Sequence, residues 1–231
     1  NVTSMQMMFQ GASVFNQDIS SWNVSNVTNM VRVFVHTTKF NQDIGSWNVS
    51  KVTDMNHMFY GAKDFNQDIS SWNVDNVTNM LWMFVHADKF NQDISGWDVS
   101  NVTRMDRMFY NAFAINQDLS DWDISSVTNM DGMFLNANAL SGVNKCAIHN
   151  AYKSNSNWPY DWNSECAGTI QGTVKQSNGS ALSGVLVSFS GANTDNATTD
   201  SSGNFNKTLG LGSYTLTYTK SGYISSTQSA T

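Results

Sequence analysis

Charge is scarce in this 231-residue chain: Asp, Glu, Lys and Arg together make up 13% of it, about half the usual share. Twelve basic residues stand against eighteen acidic ones, for a net charge of −6. With no basic run and no aromatic-basic platform, that balance argues against a nucleic-acid partner. No apolar run approaches the roughly 20 residues that span a bilayer, which argues against membrane insertion. Proline occurs once, at Pro159, and cysteine twice, at Cys146 and Cys166. Neither a CxxC nor a histidine at metal-ligand spacing accompanies the cysteines. A disulfide in an oxidising compartment is therefore the expected reading, with two buried free thiols as its alternative. The chain opens at Asn1 in mid-repeat and not on a signal peptide, as a processed or excerpted chain would.

What is present is repetition. The stretch FNQDISSWNVSNVTNM, residues 15–30, returns every 25 residues without an insertion until about residue 140. Its columns hold Phe15, Phe40, Phe65, Phe90, Ile115 and Leu140; Trp22, Trp47, Trp72, Trp97 and Trp122; Met30, Met55, Met80, Met105 and Met130. A fixed period of this size means stacked units, each burying its apolar edge against its neighbours.

Two shorter periods alternate inside each unit. Ile19, Trp22 and Val24 bracket polar Ser21 and Asn23, the alternation of a short strand that would stack in a parallel sheet. Val27, Met30, Phe34 and Thr37 follow at three- and four-residue steps, the spacing of a helical face, with Thr28 placed as an N-cap. The predicted fold is an α/β leucine-rich-repeat-type solenoid of parallel short strands plus short helices, over 1–140. Residues 1–14 are the rear half of a unit. Solenoids need a polar cap over their last apolar layer, and Val2, Met5, Met8 and Phe9 show none: either upstream sequence has been removed, or another molecule covers the layer, which is then the expected self-assembly surface.

The pattern I-x-x-W-x-V-x-x-V-T-x-M-x-x-M-F-x-x-A closely resembles the BspA-like leucine-rich repeat surface proteins, in their FNQDISxWxVSxVTxM subgroup. That resemblance implies a right-handed solenoid outside the cell, used for adhesion or surface architecture, and no catalysis. Past Leu140 the period is lost, and residues 141–168 keep the apolar Val143, Ile148, Trp158 and Trp162. They read as a C-terminal cap stapled by Cys146 and Cys166. From Thr169 the chain shows period-2 alternation (Val185, Val187, Phe189; Tyr214, Leu216, Tyr218) broken by Gly, Asn and Asp turns. The G-x-V, TTDxxGxF and GxYTLT pieces resemble a carboxypeptidase-regulatory-like β-sandwich, a non-catalytic module of secreted proteins. It is also similar to pilin-type sandwiches with Lys-Asn crosslinks, but Tyr218 stands where their acidic residue would be. Little chain remains beyond Tyr223 for a last strand, so an open sheet edge is expected.

Several columns carry candidate sites. Asp18, Asp43, Asp68, Asp93 and Asp118 would stack one per turn, and carboxylates about 5 Å apart repel by roughly 3 kcal/mol at an effective dielectric near 20. Either each accepts backbone N–H groups in an Asx turn, or the row holds Ca²⁺, the one cofactor weighed. Asn16, Gln17 and their mates read as amide ladders. Sequons start at Asn1, Asn23, Asn26, Asn48, Asn76, Asn101, Asn178, Asn196 and Asn206, many of them dictated by the repeat template. On the helical face Val31 and Val35 match Leu81, Trp82 and Val85 with a 50-residue beat, an apolar strip that would serve partner binding if exposed. His36 and His86 lie two turns apart, too far to share a metal, and no cluster of titratable residues suggests an enzyme. The strand-side surface, with Ser21, Asn23, Ser46 and Asn48, has no projecting aromatic and makes a poor sugar platform.

The expected function is a non-enzymatic extracellular structural protein that builds a surface fibre or layer by head-to-tail contact with itself. The alternative is a monomeric cell-surface adhesin that binds another surface or matrix protein or a glycan.

Overall fold

The computed structural model describes residues 2–230. The chain forms two compact units, Asn1–Asp161 and Trp162–Thr231, so the segment expected as a separate cap over 141–168 is shared between them.

In the first unit every 25-residue layer is built from reverse turns. Met58 N–H donates to Met55 O, Tyr60 to His57 O and Ala62 to Phe59 O, each at 3.0–3.1 Å. These are three-residue steps, and they place Val52, Met55, Met58, Phe59 and Ala62 inside. The N–H groups between them reach the next layer: Met55 to Asn79 O, His57 to Leu81 O, Phe59 to Met83 O and Gly61 to Val85 O, at 2.7–3.1 Å. Just before these turns the direction is reversed, and Thr53 N–H donates back to Thr28 O and Thr78 N–H to Thr53 O, each at 2.9 Å. Each layer is thus locked to its neighbour in register.

The expected solenoid of parallel strands and helices does not form. Between layers there are only isolated parallel bridges, Ser4–Asn29–Asp54–Asn79–Arg104–Asn129, and the six strands of the described residues all lie beyond residue 166, in two antiparallel sheets. The sole α-helix among the described residues, α1, is Gly142–Tyr152, outside the repeats. The physical reason is two columns of left-handed backbone. Met7, Arg32, His57, Trp82 and Arg107 have φ of 51–58°, and Gly11, His36, Gly61, His86, Asn111 and Asn136 have φ of 53–78°. A right-handed helix cannot pass through such residues. Thr28 is no N-cap either: its hydroxyl donates to Thr3 O at 3.3 Å, as Thr53 does to Thr28 O.

Aromatic columns fill the interior. Phe34, Phe59, Phe84 and Phe109 stack with centroids 5.4–5.6 Å apart, and each Trp indole reaches back across a layer: Trp47 to Ile19 O, Trp72 to Ile44 O, Trp97 to Ile69 O and Trp122 to Ile94 O, at 3.0–3.1 Å.

The last layer is covered by residues that reproduce these bonds with other chemistry. Tyr152 Oη donates to Leu119 O at 2.5 Å, taking the place of the next indole. Ser141 N–H donates to Asn116 Oδ1 at 2.9 Å, and Asn144 Nδ2 takes the glutamine's role on Asn116. Phe134 N–H donates to Tyr160 Oη at 2.7 Å. Ser141 caps α1 by accepting from Asn144 N–H, and the helix buries Cys146, Ile148, His149 and Tyr152.

The second unit starts with the 3₁₀ turn η1, Asn163–Cys166, followed by β1 (Ala167–Thr173), β2 (Leu186–Gly191), β3 (Asp195–Thr198), β4 (Asn204–Gly210), β5 (Tyr214–Thr219) and β6 (Ser226–Ala230). One sheet is β1-β4 and the other β3-β2-β5-β6, all antiparallel. Val187, Phe189, Phe205, Leu209, Tyr214 and Leu216 form the core between them. The residues after Tyr223 do supply a last strand, since β6 pairs with β5 along its whole length. The edge expected to lack its strand is therefore filled.

Candidate functional surfaces

The aspartate column sits exposed along one edge of the layers. Each carboxylate accepts the backbone N–H two residues on: Asp18 from Ser20, Asp43 from Gly45, Asp68 from Ser70, Asp93 from Ser95 and Asp118 from Ser120, all at 2.9–3.0 Å. These are Asx turns. Hydrogen bonds from the serine hydroxyl, and then the serine amide, hold the carboxyls of Asp18, Asp68 and Asp93 below the usual range, and for Asp93 the charge of Asp68 opposes this. A second column repeats the device with either acid or amide. Asn23, Asn48, Asn73, Asp98 and Asp123 all accept from the residue two on, at 2.9–3.2 Å. An uncharged amide does the same work as a carboxylate there, so in this second column the acceptor oxygen and not its charge builds the turn. No group of three or more His, Cys, Asp or Glu among the described residues could hold a metal ion.

The amide ladder runs beside it. Asn41 N–H donates to Asn16 Oδ1, Asn66 to Asn41, Asn91 to Asn66 and Asn116 to Asn91, at 2.8–2.9 Å. Gln42, Gln92 and Gln117 side chains donate to the carbonyls of Asn16, Asn66 and Asn91.

The expected partner strip is not a strip. Val31, Val35 and Val85 are buried, and Leu81 and Trp82 are half-buried. A helical wheel puts these positions outside, whereas successive turns hinged at left-handed Arg32, His36, Trp82 and His86 fold them in. Trp82 is also flanked along its own column, by His57 at 5.0 Å and by the Arg107 guanidinium at 5.3 Å, with Tyr60 at 6.0 Å. Charges stitch the layers nearby, where Asp64 accepts from Lys39 at 3.0 Å and Lys89 at 2.6 Å, while within one layer Arg104 is bidentate on Asp106.

Of the expected self-assembly residues, Met5 is 2% exposed and Phe9 is half-buried against Phe15 and Phe34, whereas Val2 and Met8 are 57% and 45% exposed. Val2, Met5 and Met8, with Trp22, Asn23, Val24 and Val27, line an apolar concavity of about 240 Å³. At the other side of the same unit a polar cleft of about 530 Å³ lies between Ser120–Thr128 and Ala151–Asn157. It offers hydroxyls, amides and the single carboxylate of Asp123, a set with no general acid–base pair. Among the described residues, no helix is long and apolar enough to cross a membrane.

Cys146 and Cys166 are disulfide-bonded, with no free cysteine among the described residues. Among the sequons, Asn23, Asn48, Asn76, Asn101, Asn178, Asn196 and Asn206 are exposed and Asn26 is half-buried. Asn1 lies outside the described residues. The Nδ2 groups of Asn76 and Asn101 donate across the layers to Ser50 O and Asp75 O, each at 2.8 Å, so a glycan there would have to share an amide already in use. In the second unit Tyr218 Oη donates to Gln228 Oε1 at 3.2 Å, and the Tyr214 hydroxyl bridges Gly210 O and Asn193 Oδ1.

Residues 1–87 and 43–147 match a family model described as Mycoplasma protein of unknown function, DUF285, and residues 169–231 match the carboxypeptidase regulatory-like domain. No curated protein and no solved structure matches the chain. Since the two matches to the first model together take in residues 1–147, well over half of the sequence, this chain belongs to the DUF285 family and carries a carboxypeptidase regulatory-like domain after its repeats.

Proposed function

We propose that this chain is a non-enzymatic extracellular structural protein of the BspA-like surface type, whose layered unit is a rigid scaffold that associates with further copies. The observation that supports this reading is where its chemistry-bearing side chains are spent. Both Asx columns, the amide ladder and the Lys39–Asp64–Lys89 stitch are satisfied within the layers, and enzymes need the opposite, titratable groups converging unsatisfied in a cavity. The disulfide suits an oxidising compartment. Association would run head to tail from the apolar concavity at Val2, Met8 and Trp22 to the covered end of a neighbour. Electron microscopy and sedimentation of concentrated protein test it. Strings or sheets that Met8→Asp disperses are expected, and separate particles at every concentration would refute the assembly.

The polar cleft at Asp123, Ser154 and Asn157 favours a second reading, a monomeric binding module for a glycan or another surface protein. Glycan-array binding by dispersed protein, lost in Asp123→Ala, would select it.

A further inference from the structure

The two sides of the sandwich are closed differently. On one side the edge strands β3 and β4 meet, tied by Lys207 Nζ to Asp195 Oδ2 at 2.7 Å. On the other side β1 and β6 are both edges, and between them runs a groove of about 480 Å³ lined by Ile170, Val174, Phe205, Leu216, Tyr218 and Ala230. Natural edges are blunted by charge, proline or shortness. Neither AGTIQGT nor STQSA contains a charged residue or proline, and β1 is seven residues long, matched only by β4.

The backbone of β1 has a defined direction. Leu211 N–H donates to Cys166 O and Val174 N–H to Gly203 O, at 2.9 and 2.8 Å. Alternation along an antiparallel ladder then points the N–H and C=O groups of Gly168, Ile170 and Gly172 at β4. Those of Ala167, Thr169, Gln171 and Thr173 point away from it, to the open side.

We propose that β1 pairs antiparallel with β1 of a second copy, about a two-fold axis through Ile170. In that register Thr169 of one copy faces Gln171 of the other and Ala167 faces Thr173, so all four outward residues fall in hydrogen-bonded pairs. Ile170 meets its own mate at the close, non-hydrogen-bonded position, on the groove side. A slip of one residue would set outward groups against residues already bonded to β4, and a slip of two would leave one outward residue of each strand without a mate, so this register pairs the most groups. The product is a continuous sheet β4-β1-β1-β4 that covers the mouth of the groove. This contact is isologous and closes at two copies, and it does not rest on the head-to-tail reading.

The test uses the full chain in a Met8→Asp background, which removes the other proposed contact from a different unit. Sedimentation across concentration should show a monomer–dimer equilibrium. Amide exchange at Thr169, Gln171 and Thr173 should slow as dimer accumulates, with β6 unaffected. Gln171→Pro deletes only an outward N–H, so it should abolish the dimer while leaving circular dichroism and the melting temperature of dilute protein unchanged. Should that variant misfold, the double change Thr169→Lys/Gln171→Lys, which sets lysine against lysine in that register, should weaken the dimer roughly tenfold or more through like-charge apposition, with recovery in high salt. A strict monomer, a dimer indifferent to the substitution, or a dimer protected at β6 and not at β1 would each overturn the proposal.

Discussion

The two units solve one problem, the pairing of backbone groups, by opposite means. In the sandwich, N–H and C=O pair strand to strand in continuous antiparallel ladders, and side chains are free to pack Val187, Phe189 and Leu216. In the repeats the backbone pairs partly with itself in turns and partly with the next layer, and side chains complete the count: indoles on Ile carbonyls, asparagines on amides, aspartates on turn N–H groups. A sequence can therefore be strictly periodic, with every apolar column buried, and contain neither strand nor helix. Polar side chains are decoration on a sheet but part of the frame in a turn-built layer.

The largest test of that difference is a pair of conservative substitutions. Trp72 is 3% exposed and its indole N–H satisfies Ile44 O. Trp72→Phe removes one of two donors from Ile44 O, which keeps the Trp47 N–H at 3.1 Å, and should cost about 1 kcal/mol; Trp72→Ala adds a cavity and should cost about 3–5 kcal/mol. In the sandwich, Tyr214→Phe removes a bond from Gly210 O, a strand-end carbonyl, and should cost about 1 kcal/mol. Chemical denaturation read separately for each unit checks both. A Trp72→Ala cost no larger than that of Tyr214→Phe would erase the distinction.

A smaller effect tests the left-handed columns. Gly61 has φ of +70°, and a Cβ there would lie 2.5 Å from His36 Nδ1. Gly61→Ala should destabilise the repeat unit by about 1–2 kcal/mol on the backbone term alone. Pairing it with His36→Ala should relieve only the steric part, as a double-mutant cycle would show.

The smallest effect is a pH dependence. Burial, and then the charge of Arg32, depress the pKa of His57 below its ordinary value of about 6.5, with Asp54 and Asp106 opposing. The folded state thus binds its proton less readily than the unfolded chain. Stability is level above about pH 6.5 and falls as pH drops through the histidine range. His57→Asn keeps a residue tolerant of φ 58° and should flatten the decline between pH 7 and 5 in thermal melts. The aspartates act later: their depressed carboxyls contribute stability above about pH 4, which is lost on further acidification.

These results also mark how much was legible. The period, the buried columns Val27, Met30, Phe34 and Thr37, and the alternation of β2 and β5 could be read directly, because burial follows hydrophobic spacing in any element. Element type in the repeats could not. Turns with three-residue bonds and a helical face place the same residues inside, and only backbone handedness separates them. The signal was present in the column Gly11, His36, Gly61, His86, Asn111, Asn136, since Gly and Asn favour left-handed backbone, but the histidines disguised it. A helical reading of that column also turns Val31, Val35 and Val85 outward. The Asx turns were anticipated as one of two readings of the aspartates. The cap bonds of Tyr152 and Tyr160 were not anticipated, because their acceptor and donor lie 33 and 26 residues away with no repeat to announce them.

The account turns on the aspartate columns being parts of the frame. The direct measurement is the melting temperature of the wild type, of Asp43→Asn/Asp68→Asn/Asp93→Asn and of the corresponding triple alanine, each with excess Ca²⁺ and with chelator. The asparagine variant should match the wild type, the alanine variant should melt several degrees lower, and none should respond to calcium. A wild type stabilised by calcium, with that response lost in the asparagine variant, would contradict the account.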